Sequence, residues 1–418
     1  MKNNKKIFIP LLSAFVAVIV VFLVLGLTES NEVPAVSDYT EPSEALTVIA
    51  TTAPEKEKRL KLSFIGDCVI GGDPIDYGYE SLIWYSENYP LSYFFEKVKS
   101  ELENDDFTLS NMECVLSDNL ELKPVDKDYK PAFWFRAKAK NAEILTEGSV
   151  EVAGVVNNHT FDFGDEGYSD TIKSLENAGL LVGEDCVPLY FEKNGIKVGV
   201  VYANLWGYYQ VNYIEDALEK MQDKCDYKIV FFHGGEEGQH EPDNFKIDAC
   251  RDLANSGLCD LIVGAHPHVL QPLEVVNGVP IMYSLGNFCF AGNNYPENKT
   301  VIFKAELTKN DDGSITAETS IIPCYVYTGA YNNFQPAIIT DEADKQEILD
   351  MLSAPVDYIK ETEPATTTVP QTETQTEEYV LEETYVYIPD QAESYTEEYT
   401  SEETTEYIEE IETAISYY

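Results

Sequence analysis

Apolar and polar residues along the middle of the chain alternate with two periods, which predict strands and helices in turn. Leu60, Leu62 and Phe64 alternate with polar positions as in a strand, which should stop at Gly66 and Asp67. The runs predicted as strands are 60–67, a short strand from 107 that ends near 111–113, 150–156 and 196–204, and those predicted as helices are 91–104, 140–146 and 165–178. Strands that alternate with helices are typical of an α/β sheet with covered faces.

The stretch 227–290 has the strongest pattern. It reads YKIVFFHGG, a helical segment over 244–255, then LCDLIVGAHPHVLQP and VPIMYSLGNF. Each apolar run ends in polar residues, which a sheet would present at its rim. Two later strands, in TVIFKAEL and TSIIPCYVY, have no helix between them and favour antiparallel pairing before a last helix at 343–352. A mixed sheet, or two stacked sheets flanked by helices, fits both halves.

An uncharged run at 7–27 precedes this pattern and is long enough to cross a bilayer. Three lysines before it and acidic residues after it predict a cytoplasmic N-terminus and an extracellular main domain. A cleaved signal peptide is the alternative, although its apolar region is normally about 7 to 15 residues long. We therefore expect an uncleaved single-pass anchor in the cell membrane.

Composition divides the rest of the chain. Residues 28–58 contain three prolines among Thr, Ser and Glu, and predict an extracellular linker. Residues 59–360 form the predicted folded domain. The tail at 361–418 carries 17 acidic and no basic residues in repeated Glu-Tyr and Thr-Glu units, so we expect it to be disordered. A solvated spacer is favoured over a segment that binds the cell wall or a partner.

Charge and cysteine content exclude other classes. The formal net charge is −46, and the acidic residues before position 361 still outnumber all 28 basic ones. Binding to nucleic acid or anionic lipid through a broad basic patch is therefore excluded. The eight cysteines are scattered without a Cys-x-x-Cys pair, which predicts mostly buried thiols rather than a disulfide framework.

Histidine placement is the main chemical signal. The chain has five histidines, and four of them lie at predicted strand ends. Two carboxylates, an amide and three imidazoles at these ends form a donor set that suits Zn, Mn or Fe. The candidate metal ligands are Asp67, Glu113, Asn158, His233, His266 and His268. Six ligands exceed what one catalytic ion usually takes, which indicates two divalent ions.

Each of these motifs could also have a purely structural role. His266 and His268 flank Pro267 at a strand end, where two side chains can point the same way, or they are incidental residues of a surface loop. His159 is followed by Asp162, whose carboxylate can hold an imidazole for acid catalysis. The neighbouring asparagines could instead serve a turn, and Asp67 could be a turn residue.

Taken together, the motifs FIGDCVIGG, SNMECVL, VVNNHTFDFG, HGGEEGQHEP and VGAHPHVLQP resemble the CapA family of poly-γ-glutamate capsule synthesis, over about 61–290. That family resembles a branch of the calcineurin-like metallophosphatase superfamily. The resemblance implies an α/β fold, a four-layer α/β/β/α sandwich with a dimetal centre at the strand ends.

The resemblance also implies roles for single residues. Asp67 matches the first metal-binding aspartate, Glu113 the bridging position and Asn158 the amide ligand. His159 matches the acid that protonates a leaving group. The three remaining metal ligands that it implies are His233, His266 and His268.

Three positions depart from the family pattern. Val69 stands where the superfamily has the histidine of Asp-x-His, so one ion would lack a histidine. Cys114 and Gly234 replace a usual glycine and tryptophan, which alters the shape of the pocket more than its chemistry.

The implied function is the synthesis, export or attachment of an anionic surface polymer such as poly-γ-glutamate, beside membrane polymer-synthase subunits. The implied chemistry is metal-dependent hydrolysis of a phosphoester or a γ-glutamyl amide, with His159 protonating the leaving atom. A non-catalytic scaffold that uses the same fold is the alternative.

The membrane topology can be tested on intact cells. Externally added protease should digest the tail at 361–418 and leave residues 1–6 protected, because lysines at 2, 5 and 6 hold the N-terminus inside. Epitope tags at both ends, followed by immunoblotting, measure this. Release of the folded domain into the medium through cleavage after 7–27 would contradict the anchor.

Overall fold

The computed structural model of the protein describes residues 58–74, 78–127, 131–292 and 298–358. The predicted anchor at 7–27, the linker up to residue 57 and the acidic tail at 361–418 lie outside these ranges. Within them, no helix combines the length and the apolar character needed to span a membrane.

The described residues form strands and helices close to the predicted runs. In chain order the strands are β1 (Arg59–Cys68), β2 (Phe107–Met112), β3 (Val115–Leu116), β4 (Arg136–Ala137), β5 (Val152–Gly154), β6 (Leu181–Gly183), β7 (Leu189–Lys193), β8 (Ile196–Asn204), β9 (Tyr227–His233), β10 (Leu261–Ala265), β11 (Leu270–Val276), β12 (Val279–Leu285), β13 (Lys299–Lys309), β14 (Ile315–Tyr325) and β15 (Ala337–Ile338). The helices are α1 (Leu82–Asn88), α2 (Lys99–Leu102), α3 (Glu143–Glu147), α4 (Gly164–Ala178), α5 (Val211–Glu219), α6 (Asn244–Asn255) and α7 (Glu342–Leu352). Short 3₁₀ helices cover Leu91–Tyr93, Ala139–Ala142 and Tyr208–Gln210.

These strands form two large mixed sheets. The first has the order β15-β14-β13-β1-β2-β5-β6, and the second has the order β11-β12-β10-β9-β8-β7. In the first sheet β1, β2, β5 and β6 run parallel, whereas β13 to β15 pair antiparallel, which confirms the prediction for the two late strands. In the second sheet β8, β9, β10 and β12 run parallel. A small sheet pairs β3 with β4.

The period-two pattern explains how the sheets pack. Leu60, Leu62 and Phe64 of β1 lie in a buried cluster that also contains Phe231 of β9, so the two sheets share one core. The rings of Phe64 and Phe231 meet edge to face, with centroids 6.3 Å apart. The protein is therefore a mixed α/β fold with several sheets, consistent with a sandwich.

The other face of each sheet packs on helices. Ile65, which points away from Phe64, shares a buried cluster with Leu175 of α4. Val230 and Phe232 of β9 share another cluster with Leu253 of α6. Burial of apolar side chains on both faces explains why these parallel strands read as nearly continuous apolar runs.

Of two local predictions, one needs correction and the other is confirmed. The predicted helix over 91–104 is wrong as a continuous helix, because Val98 has a φ of −121° and separates the 3₁₀ turn Leu91–Tyr93 from the short α2. The predicted stop at Gly179 is confirmed, since this residue caps α4 with a φ of +96°. The apolar face expected over 91–104 is nevertheless buried, through Phe94, Phe95, Val98 and Leu102.

The cysteines are free thiols, as predicted. Six are buried, and Cys186 and Cys225 are partly buried. Burial also raises the pKa of the Cys68 thiol to about 12, which makes it unreactive at neutral pH.

A backbone contact joins the two sheets at one end. The amide of Asp67, at the end of β1, donates to the carbonyl oxygen of Gly286 after β12, at 3.0 Å. The amide of Phe288 donates back to the carbonyl oxygen of Asp67 at 2.8 Å. Gly66 lies at an irregularity of β1, and a Cβ atom added there would lie 1.8 Å from the oxygen of Gly286. Only glycine therefore allows this contact.

This contact makes a prediction about stability. Gly66→Ala should lower the free energy of unfolding by about 1–3 kcal/mol or more, because the backbones of both sheets must separate to admit the methyl group. Denaturant unfolding followed by circular dichroism measures the change.

Gly78→Ala is the matched control, since nothing lies within 4 Å of a Cβ atom at that position. It should be neutral or stabilising by about 0.4–1 kcal/mol. Equal effects of the two substitutions would show that the contact at Gly66 does not constrain the fold.

Candidate metal centre

The carboxyl ends of parallel strands from both sheets meet at one rim. Asp67 is the penultimate residue of β1, and Glu113 follows β2 directly. His233 ends β9, while His266 and His268 follow β10. The Asp67–Gly286 contact brings the two sets of strand ends together, so each sheet supplies part of one donor cluster.

Asp67 is fully buried and fixed through both of its oxygens. Oδ1 accepts a hydrogen bond from the side-chain amide of Asn111 at 2.6 Å. Oδ2 accepts from the backbone amide of His266 at 3.1 Å and lies 3.3 Å from Nδ1 of His268. The carboxylate therefore links β1 and β2 to the loop after β10.

Glu113 is fully buried, and neither of its carboxylate oxygens has a hydrogen-bond partner. Its Oε1 lies 3.6 Å from Nε2 of His233 and 3.8 Å from Nε2 of His159. Burial and then the charge of Asp67 raise the pKa of the Glu113 carboxyl well above its usual value. An ionised carboxylate here needs a cation, because burial without a partner costs several kcal/mol.

The imidazoles of His233 and His266 meet beside this carboxylate. Nε2 of His233 lies 3.0 Å from Nδ1 of His266 and 2.9 Å from Oδ1 of Asn158. Burial, followed by the nearby His266 and His268, lowers the pKa of His233 well below its usual value. Burial also lowers the pKa of His266 to about 2. Both rings are therefore neutral at pH 7, which is the form that binds a metal ion.

The loop that carries His266 and His268 has an unusual backbone. Their φ angles are +98° and +60°, a region that most residues avoid. Burial opposes protonation of His268, but its hydrogen bond to Asp67 and the charges of Glu113 and Asp67 raise its pKa to about 10. Its Nδ1 also lies 2.8 Å from Oδ1 of Asn287, just after β12. His268 thus compensates carboxylates that a cation would otherwise compensate.

These contacts place nitrogen and oxygen donors within reach of common ions. Donor atoms of Glu113, His233 and His266 lie within 4.8 Å of one another, as do those of Asp67, Glu113 and His268. Asn158 joins the first group through its contact with His233. Carboxylate, amide and imidazole donors suit Zn, Mn or Fe, and the unpartnered oxygens of Glu113 are where a cation fits. The residues present therefore fit a bound metal.

His159 is held at the edge of this cluster by a chain of polar contacts. Its Nδ1 lies 2.7 Å from Oδ2 of Asp162, and its backbone amide donates to Oδ1 of Asn157 at 3.0 Å. The other oxygen of Asp162 lies 2.5 Å from Nζ of Lys127. The ring of Phe135 covers the imidazole, with centroids 4.2 Å apart. Burial lowers the pKa of His159, although Asp162 opposes this shift.

A cleft of about 450 Å³ opens beside the cluster. His159, His268 and Glu237 line one part of it, so His268, one of the candidate metal ligands, is accessible from this side. Its apolar lining residues are Leu82, Ile83, Phe133, Phe135, Phe290, Ala291 and Phe334. The volume is in the usual range for a small-molecule site.

Several residues of the site could not be identified from the sequence motifs. Lys127 lies in a loop without apolar periodicity, 32 positions before His159, and only the fold shows its contact with Asp162. Glu237 lies in the HGGEEG motif, but nothing in the motif distinguishes it from Glu236. The ring of Trp206 lies against His266 and His233, with centroids 4.7 and 5.6 Å away.

Two of the three departures from the family pattern, at Val69 and Gly234, have structural explanations. The side chain of Val69 is buried in the core between the first sheet and its helices, so position 69 supplies no metal donor. A Cβ atom at Gly234 would lie 1.9 Å from the carbonyl oxygen of Leu205, which leaves no room for a larger residue. Trp206, which follows Leu205 in the chain, supplies an aromatic ring next to the histidines.

The fold and the donor cluster define a mixed α/β protein with a group of potential metal ligands at the rim of its sheets. The family model for the bacterial capsule synthesis protein PGA_cap matches residues 61–292. The chain therefore belongs to this family, as the sequence motifs indicated. The metallophosphatase-like superfamily includes it.

Two named relatives share about a quarter of their aligned residues with this chain. The capsule biosynthesis protein CapA of Bacillus anthracis is 25% identical over 332 residues, which cover 73% of this chain and 75% of that protein. The PGA biosynthesis protein CapA of Bacillus subtilis strain 168 is 24% identical over 339 residues, covering 75% and 79%. A solved structure of a hypothetical protein from Thermus thermophilus aligns with a TM-score of 0.39 and 13% identity, over 63% of this chain and 99% of that chain.

The carboxylate of Glu113, which has no hydrogen-bond partner, predicts that one substitution raises stability without metal and lowers metal affinity. In metal-free protein, Glu113→Gln should raise the free energy of unfolding by about 1–3 kcal/mol at neutral pH, because it removes a buried carboxyl group whose ionisation is opposed by burial and by Asp67. In the presence of Mn²⁺ the same substitution should lower the metal affinity by about tenfold or more, since a carboxylate ligand is lost. Denaturant unfolding with and without Mn²⁺ measures both changes. A variant that is destabilised without metal and binds Mn²⁺ normally would contradict this interpretation of Glu113.

Proposed function

We propose that this chain is a membrane-anchored, extracellular protein that acts in the synthesis, export or attachment of poly-γ-glutamate or a related anionic surface polymer. Membership of the capsule synthesis family and the names of the two Bacillus relatives support the polymer. The uncharged run at 7–27 with its lysine-rich front supports the anchor. Within this function, the chain works as a metal-dependent hydrolase.

The proposed architecture is the four-layer α/β/β/α sandwich of metallophosphatases. It is supported by the shared core of the two sheets and by the helices on their outer faces. The position of the donor cluster at the carboxyl ends of parallel strands also agrees with it.

The observation that carries the proposal is the carboxylate of Glu113, buried without a hydrogen-bond partner among histidines that burial keeps neutral. The residues that would hold two divalent ions are Asp67, Glu113, Asn158, His233, His266 and His268. When bound, such ions polarise the phosphoryl or carbonyl oxygen of a substrate. The protein side chains bind and orient the substrate and move its protons.

His159 is the proton donor in this proposal. Asp162 accepts the proton on Nδ1, so Nε2, on the Glu113 side of the ring, must first take up a proton to form the imidazolium, and that proton is then given to the leaving oxygen or nitrogen. Lys127 compensates the charge of Asp162 and Phe135 covers the ring, which together fix the orientation of the imidazole. Orientation of this kind is what general acid catalysis requires.

The cleft indicates how an anionic polymer would be held. The described lining residues include two carboxylates, Asp73 and Glu237, and no lysine or arginine. Besides His268, the positive charge that attracts a phosphoester or a glutamyl carboxylate would therefore come from the ions. Substrate binding should be metal-dependent for this reason, independently of catalysis.

The test is a metal analysis followed by an activity screen. Full-length protein in detergent, reconstituted with Mn²⁺, Fe²⁺ or Zn²⁺, should hold well above about 0.3 equivalents of metal, because six donors converge at the rim. The loaded protein should cleave a phosphoester or poly-γ-glutamate. Less metal than this in every case would overturn the metal centre, and bound metal without any cleavage would favour a scaffold.

Substitutions separate the acid from the ligands. His159→Asn should keep the metal content and lose about 10²- to 10⁴-fold in turnover, the usual contribution of a positioned acid. Asp162→Asn should resemble a milder version of it, because it disturbs orientation and leaves the imidazole in place. Turnover rates and metal analysis of the same samples measure both effects.

His268→Asn is the contrasting variant. It should lower metal affinity, because it removes an imidazole that lies 3.3 Å from Asp67 at the cleft side of the cluster. Full activity of His159→Asn on every substrate that the parent protein cleaves would remove His159 from the proposed chemistry.

A further inference from the structure

Glu237 is an exposed residue whose carboxylate points back to the donor cluster. It follows His233 by four positions in the loop after β9 and lines the cleft with His159 and His268. One of its oxygens and one nitrogen each of His266 and His268 lie within 4.8 Å of one another. The sequence motifs gave Glu237 no role.

The loop around Glu237 is fixed to the loop that carries the two histidines. Gly235 and Gly238 have φ angles of +105° and +72°, which turn the chain on both sides of the carboxylate. The amide of Gly238 donates to the carbonyl oxygen of Pro267 at 2.8 Å. This backbone bond ties the position of Glu237 to that of His266 and His268.

A buried lysine strengthens the same connection. Nζ of Lys246, a fully buried residue of α6, donates to Oε1 of Gln271 at 2.7 Å and to the carbonyl oxygen of Gly234 at 3.3 Å. The amide group of Gln271 donates in turn to the carbonyl oxygen of Gln239 at 2.7 Å. Backbone on both sides of Glu237 is therefore anchored to β11, which starts just after His268.

The charges of the rim favour a further anionic ligand. Asp162 is compensated by Lys127, which leaves Asp67 and Glu113 as the carboxylates of the buried cluster. Two divalent ions carry four positive charges, more than these two carboxylates compensate. Val69 adds no donor, because its side chain lies in the helix-side core. Glu237 supplies a third carboxylate from the solvent side.

We propose that Glu237 is a metal ligand at the mouth of the cleft, where it holds one ion together with His266 and His268. The inference rests on the proposed metal centre and gives its two ion positions different affinities. Because one neutral imidazole binds a single ion, Glu113 and His233 with Asn158 form the other, more enclosed position. Glu237 completes a more open one, whose ion exchanges with solvent and is the one that substrate in the cleft reaches first.

The test compares two neighbouring glutamates. Mn²⁺ binding to full-length protein in detergent should occur in two steps, a tighter one at the enclosed position and a weaker one at the open position. Glu237→Gln should weaken the second step by about 10- to 100-fold, a range typical of losses around a metal site, and leave the first unchanged. Calorimetric titration gives both affinities, and the electron paramagnetic resonance signal of coupled Mn²⁺ pairs should disappear at Mn²⁺ concentrations that fill both positions of the parent.

Glu236→Gln is the matched control, because it removes the same charge from a residue that is likewise exposed. Glu236 belongs to no donor group among the described residues. It should bind both ions as the parent does. Equal weakening in the two variants would overturn the assignment, since surface charge alone would then explain the effect.

Two other results would also overturn it, and they differ in what they leave standing. Two unchanged binding steps in Glu237→Gln would remove Glu237 from the donor set and leave the proposed function intact. A parent protein that binds no metal would overturn both proposals.

Discussion

The site depends on the contact between Gly66 and Gly286, where the ends of β1 and β12 approach closely enough to exchange backbone hydrogen bonds. Without it the two sheets would still share an apolar core, but their rims would be separate. Asp67 would then be apart from the loop that carries His266 and His268, although it now accepts a bond from the amide of His266. The absence of a side chain at Gly66 thus determines whether donors from the two sheets form one cluster.

The chemistry of the rim is determined by burial. The same loss of solvent that keeps His233 and His266 neutral makes an ionised Glu113 costly, so the two effects together describe a pocket suited to a cation. His159 belongs to a different environment, since its partners Asp162 and Lys127 balance each other's charge. The ligand part of the site and the proton-transfer part are therefore electrostatically distinct while lying side by side.

Much of this arrangement could be predicted from residues alone. Apolar alternation located the strands, and the polar residues at their ends are the ones that meet at the rim, because parallel strands bring their carboxyl ends to one edge. Lys127, Glu237 and Trp206 could not be found in this way, because they lie in loops whose positions depend on contacts distant in sequence. The continuous helix expected at 91–104 failed for a related reason: its apolar spacing reported burial correctly, whereas the break at Val98 is a backbone property that spacing does not encode.

The positive φ angles of His266 and His268 mean that ligation and folding compete at this loop. Glycine would relax the backbone at either position, and strain of this kind costs about 1–3 kcal/mol per residue. An imidazole is present at both positions despite that preference, so the fold bears part of the cost of the donor set before any ion arrives. The metal-free protein therefore stores conformational strain in this loop, and an ion bound to these two rings would offset that strain through coordination.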